Sequence, residues 1–149
     1  MKITKYITKN QIILDLKAQT KDEVLETMLK QFVELGLVPG EMQEDVLSAL
    51  KERESLTSTG LGYGVALPHV KTDAVGLINI VFARSVHGVE FEALDGNPVQ
   101  FLFMILAPTK VSDDYLKILS TMSALMKDAR VRRRLAEAKS AEDVLSIIG

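Results

Sequence analysis

Residues 99–106 carry almost nothing but apolar side chains, and Pro108 closes the run two positions later. A strand with one face in water alternates apolar and polar residues, and that alternation is missing here, so the segment reads as the central strand of a sheet. A membrane is the other home for such a run, but its most apolar part, residues 101–107, is far shorter than the ~20 residues a span requires. Residues 77–83 read as a second strand, mostly apolar and therefore covered on both faces. Residues 89–91 and Ile12-Ile13-Leu14 read as shorter extended pieces. Asp95-Gly96 is a hairpin-type turn signal, which favours a mixed sheet over an all-parallel one.

Helical periodicities fill the rest. Thr20 and Glu23 form a capping box, and Val24, Leu25, Met28, Leu29, Phe32 and Leu35 make one apolar stripe that Gly36 ends. After the Pro39-Gly40 turn, Met42, Val46, Leu47 and Leu50 form a second inward stripe. A third helix is expected from Ser112-Asp113-Asp114, which offer a cap and negative charge to the positive helix end. Its inward residues are expected to be Leu116, Leu119, Met122 and Met126. Two shorter helices are expected near residues 131–138 and 141–148. No repeat or linker interrupts the pattern, and 149 residues is about one domain's worth. Residues 1–149 are thus read as a single α/β domain, a mixed sheet flanked by helices.

Composition narrows the function classes. There is no cysteine, which excludes a disulfide scaffold, a thiolate metal site and a cysteine nucleophile together. The 18 basic and 20 acidic residues leave a formal charge of −2, unlike a protein that neutralises many nucleic-acid phosphates. Arg130, Arg132, Arg133 and Arg134 are therefore read as a solvated basic face. The start, Met1-Lys2-Ile3-Thr4-Lys5, leads into polar residues with no apolar leader, so a cytoplasmic protein without membrane insertion is expected.

Between residues 55 and 69 the character changes. Ser55, Thr57, Ser58, Thr59, Gly60, Gly62 and Gly64 follow in quick succession, break regular structure and let backbone approach a ligand closely. The stretch ends in Val65-Ala66-Leu67-Pro68-His69. His69 is one of only two histidines, and spacing alone leaves it open between a functional imidazole and a core one. The other, His87, lies in Val86-His87-Gly88, read as a solvated turn between strands.

The segment Arg53-Glu54-Ser55-Leu56-Thr57-Ser58-Thr59-Gly60-Leu61-Gly62-Tyr63-Gly64-Val65-Ala66-Leu67-Pro68-His69 resembles the active-site segment of enzyme IIA domains of the bacterial phosphotransferase system. The subfamily is the fructose/mannitol type, which includes the stand-alone nitrogen-related IIA proteins. Leu94-Asp95-Gly96-x-Pro98-Val99 and the strand ending at Ala107-Pro108 match in order. The resemblance implies the enzyme IIA fold and a phosphocarrier, a phosphotransferase relay component. His69 would accept a phosphoryl group from an HPr-like phosphohistidine carrier. It would pass the group to a IIB partner or hold it as a regulatory signal, in sugar uptake or nitrogen-related regulation. Arg53 would stabilise the phosphoryl group with its planar fork. Thr59 and Gly60 would offer a hydroxyl and backbone N–H groups, and Lys71 is read as a solvated lysine. No metal or cofactor is implied.

Elementary chemistry adds one demand. For one imidazole nitrogen to attack phosphorus, the other must keep its proton and be held by an acceptor, here expected to be a backbone carbonyl. Two positions depart from the family pattern. Tyr115-Leu116 stands where many members have His-Leu, and a tyrosine hydroxyl donates a hydrogen bond but brings no positive charge. Val70 replaces a small residue after the histidine and is expected to narrow the site or to alter partner fit. Tyr115 motivates the competing class: a regulatory protein-binding module that keeps the fold without relaying phosphate.

Overall fold

In the computed structural model, which describes residues 2–110 and 113–149, the apolar run becomes the axis of a six-stranded sheet. In chain order the elements are β1 (Ile12–Ile13), α1 (Lys21–Glu34), α2 (Gln43–Leu56), β2 (Gly60–Gly62), β3 (Val65–Ala66), β4 (His69–Lys71), β5 (Asn79–Val89), β6 (Val99–Ala107), α3 (Asp114–Met126), α4 (Ala129–Glu137) and α5 (Ala141–Ile148). Strand β6 pairs antiparallel with β5 on one side. On its other side it pairs parallel with β3 and then β4. β1 runs parallel to β5 and β2 antiparallel to β3, so the sheet is mixed, as expected.

Burial explains why residues 99–106 show no alternation. Phe101, Phe103, Ile105 and Ala107 enter a core shared with α3, α4 and α5. Leu102, Met104 and Leu106 enter a second core shared with α1 and α2. With helices on both sides, every position from Phe101 to Ala107 faces hydrocarbon, and only Gln100 near the start of the strand is exposed. On the first of these faces, Phe82 of β5 meets Phe103 at a ring-centroid distance of 4.9 Å. No helix among the described residues is long and apolar enough to cross a membrane.

Helix α1 starts as its cap dictates, with the Thr20 hydroxyl accepting from the Glu23 N–H at 3.2 Å. It ends before Gly36, whose φ of +75° a side chain would resist. Two expectations change. Helix α3 turns Tyr115, Ile118, Met122 and Met126 inward, leaving Leu116 67% exposed and Leu119 only half-buried. Apolar residues occupy both phases of this helix, and packing against Ile105 and Phe103 selects the one that hides Tyr115. The Ser112 part of the proposed cap lies outside the described residues. His87 lies in an exposed part of β5 rather than in a turn between two strands. There the pairing with β6 slips between Arg84 and Val89, so the irregularity signalled by Gly88 bulges the strand without ending it. The Asp95-Gly96 turn lies within the wider β5–β6 connection, residues 90–98.

Arg84, which no motif marks, ties the sheet to the end of α4. Its Nε donates to the Leu14 carbonyl at 3.1 Å, and its Nη1 donates to the Leu135 and Ala138 carbonyls at 2.9 and 2.7 Å. The positive charge also faces the negative end of α4. Replacing Arg84 by Met leaves these carbonyls without their donor, and we expect urea unfolding to show a loss of about 1–3 kcal/mol.

Candidate functional site

Strands β3 and β4 are one strand interrupted at Leu67-Pro68. Val65 pairs with Phe101 and His69 with Ile105, so the register along β6 does not slip across the break. Proline has no N–H to give the ladder. Its carbonyl still does, accepting from the Ile105 N–H at 2.9 Å. The glycine-rich segment thus ends with His69 on the first residue of a strand, held by the sheet.

The imidazole is half-buried, and its Nδ1 lies 2.6 Å from the Leu67 carbonyl oxygen. In the neutral ring Nδ1 donates this bond, which leaves the lone pair on Nε2. Nε2 takes no hydrogen bond among the described residues. The carbonyl that the chemistry demands is therefore that of Leu67, which the residues alone could not name.

Three further side chains gather at this ring. Tyr115, in the first turn of α3, packs its ring edge-on against His69 with centroids 5.9 Å apart. Lys71, next on the same face of β4, places Nζ 5.4 Å above the Tyr115 ring. Arg53, in the last turn of α2, donates from Nη1 to the Thr57 carbonyl at 2.8 Å, and its charge reaches both His69 and Tyr115. Tyr115 is 6% exposed, and burial pushes its hydroxyl up to about 12 against the pull of Arg53. The phenol therefore stays protonated across the physiological range as a hydrogen-bond donor. Val70, between His69 and Lys71, points to the opposite face and packs on the α1–α2 core. Its branched side chain cannot narrow the space around the imidazole, because successive strand residues face opposite ways.

Thr59 and Gly60 also depart from expectation. The Thr59 hydroxyl donates to Glu54 Oε1 and its N–H to Glu54 Oε2 at 3.2 Å, while the Gly60 N–H donates to Ser58 Oγ at 3.0 Å. The Thr59 donors are committed to Glu54 of α2, and the Gly60 N–H is committed within the loop. Gly60 is needed for space: a Cβ there would sit 2.8 Å from Cα and Cβ of Ala93. Glu54 was readable in one respect. It follows Leu47 and Leu50 at helical spacing, which places it on the buried face of α2 despite its charge.

Burial is the main force holding the His69 pKa below its ordinary 6.5. The Arg53 charge adds to the depression, while the Leu67 hydrogen bond and Glu54 oppose it. The folded state then binds fewer protons at this ring than the unfolded chain does. Stability from this group is full above about 6.5 and is lost as pH falls from there through the depressed folded value. An NMR titration should give His69 a midpoint below 6.5, and Arg53→Gln should move it upward. Gly60→Ala, which forces backbone apart at Ala93, should cost about 1–3 kcal/mol in thermal unfolding.

Comparison with known proteins identifies the family and the fold. The family described as phosphoenolpyruvate-dependent sugar phosphotransferase system, EIIA 2, matches residues 5–149. The fructose-specific EIIA component of the phosphotransferase system of Haloferax volcanii is 39% identical over 137 residues, covering 92% of this chain and 88% of the relative. The crystal structure of nitrogen regulatory protein IIA-Ntr from Neisseria meningitidis superposes with a TM-score of 0.90 at 32% identity, covering 99% of each chain. The mannitol enzyme IIA of Escherichia coli, in a complex with phosphorylated enzyme IIB, superposes with a TM-score of 0.79 at 27% identity, covering 95% of this chain and 96% of that one. The chain belongs to the EIIA type 2 family of the phosphoenolpyruvate-dependent sugar phosphotransferase system.

Proposed function

We propose that this protein is a cytoplasmic phosphocarrier that takes a phosphoryl group on His69 Nε2 from an HPr-like phosphohistidine carrier. It delivers the group to a IIB partner or holds it as a regulatory signal. The observation that carries the reading is the Nδ1–Leu67 hydrogen bond, which leaves Nε2 as the nucleophilic nitrogen within the field of Arg53. In the transfer a P–N bond forms at Nε2 while the donor's P–N bond breaks. His69 keeps its Nδ1 proton, and the donor leaves as a neutral imidazole that keeps its own. The positive charge that builds on the His69 ring is met by the Leu67 carbonyl oxygen.

Little covalent work falls to the protein, so positioning and charge carry the step. Arg53 supplies the fixed cation and the planar fork for phosphoryl oxygens. Tyr115 supplies a donor hydroxyl at the start of α3, where the helix end adds a partial positive field. The mannitol enzyme IIA seen with phosphorylated IIB supports a IIB-type partner. The fructose-specific relative supports sugar uptake as the output and the nitrogen regulatory neighbour supports regulation, so both readings stand as alternatives.

Incubation with phosphoenolpyruvate and the general phosphotransferase proteins should give an acid-labile, base-stable phosphate that His69→Ala abolishes. Arg53→Gln should slow its formation roughly 100-fold. A fully folded chain that acquires no such phosphate, yet captures a protein partner through this face, would establish the non-relaying module instead.

A further inference from the structure

We propose that Glu54 is a positioning residue for His69, acting through Thr59 and Leu67 with Lys21 as its counter-ion. The inference rests on the reading of His69 as phosphoryl acceptor and extends it to a residue that cannot touch the phosphate.

Both oxygens of Glu54 are engaged. Oε2 meets Lys21 Nζ at 2.9 Å and the Thr59 N–H at 3.2 Å, and Oε1 accepts the Thr59 hydroxyl. The carboxylate side chain is 5% exposed and the lysine 19%, so the pair is largely withdrawn from water. The Lys21 ammonium also lies 4.8 Å over the Phe91 ring. From Thr59 the chain of contacts continues. Its carbonyl accepts the Leu67 N–H at 3.1 Å, and the Leu67 carbonyl accepts His69 Nδ1–H at 2.6 Å.

This path brackets the peptide that sets the imidazole. Downstream, proline fixes φ at residue 68 and the Pro68 carbonyl is held by the Ile105 N–H. Upstream, the Leu67 N–H is held only by Thr59. Without that grip, rotation at Leu67 can turn its carbonyl away from the ring. Arg53 takes the Thr57 carbonyl from the same helical turn, so two adjacent residues of α2 grip the loop at 57 and 59.

Stability does not account for a carboxylate here. A leucine at 54 would extend the Val46, Leu47 and Leu50 face with no charge to desolvate, and buried ion pairs are often no better than hydrophobic replacements. A carboxylate offers what leucine cannot: two acceptors at fixed geometry for one residue's N–H and hydroxyl.

The test reads the imidazole directly, with no phosphoryl donor present. Nitrogen shifts of the two histidine rings report the tautomer of His69, and exposed His87 serves as the internal reference. Thr59→Val and Glu54→Gln should convert His69 from the Nδ1–H tautomer to a mixture, while Thr59→Ser should retain the wild-type shifts. Transfer from the phosphorylated carrier should fall roughly 10–100-fold in the first two. If both fold and keep wild-type His69 shifts, the proposal is overturned, even where the melting temperature drops. If neither folds, Lys21→Met, altered at the more exposed end, decides by the same shifts in the same direction. A wild-type protein with the expected tautomer that never acquires phosphate would sink the phosphocarrier reading alone.

Discussion

The hydrogen bond from His69 Nδ1 to the Leu67 carbonyl is the contact on which the chemistry of this protein turns. An untethered neutral imidazole exchanges its proton between two nitrogens and rotates about two side-chain bonds, so neither nitrogen is reliably presented. The Leu67 carbonyl can remove that freedom because it faces away from β6: the Gly64 and Pro68 carbonyls accept from β6, whereas the Leu67 N–H donates to Thr59 on the opposite edge. The register on β6 is kept across the break at Pro68. The same backbone rigidity that stabilises the sheet therefore fixes a side chain.

The electrostatic surroundings are simple. Arg53 places its charge within reach of both rings, Tyr115 is a buried phenol that keeps its proton, and His69 is biased toward its neutral form by burial. With a phenol in this place rather than a second imidazole, Tyr115 adds no change of protonation of its own beside His69 in the physiological range.

Much of the architecture was legible because it rests on burial patterns that survive tertiary packing. The unbroken apolar run could only be a strand covered twice, and Thr20 could only be a cap. Where the reading failed, two local solutions were available. Apolar residues of α3 lie at 115, 116, 118, 119, 122, 124, 125 and 126, so more than one phase satisfies the periodicity, and packing on β6 chooses. At residues 85–88 a bulge and a turn share the same glycine signal. Thr59 and Gly60 were read as donors because their type permits it, but a donor's commitment depends on partners folded around it. Leu67 is the reverse case: the need for an acceptor carbonyl follows from chemistry, while its identity follows only from geometry.

The alternation along β4 has a consequence for how this chain can change. His69 and Lys71 face Tyr115 while Val70 faces the α1–α2 core. Insertion of a single amino acid between Pro68 and His69 would rotate the imidazole into hydrocarbon and bring valine to the surface. The connection at 90–98 lies on no such two-faced register, and length drift can accumulate there. A change of length is thus tolerated in the outer turns, and the segment from the strand break to Lys71 is fixed in count.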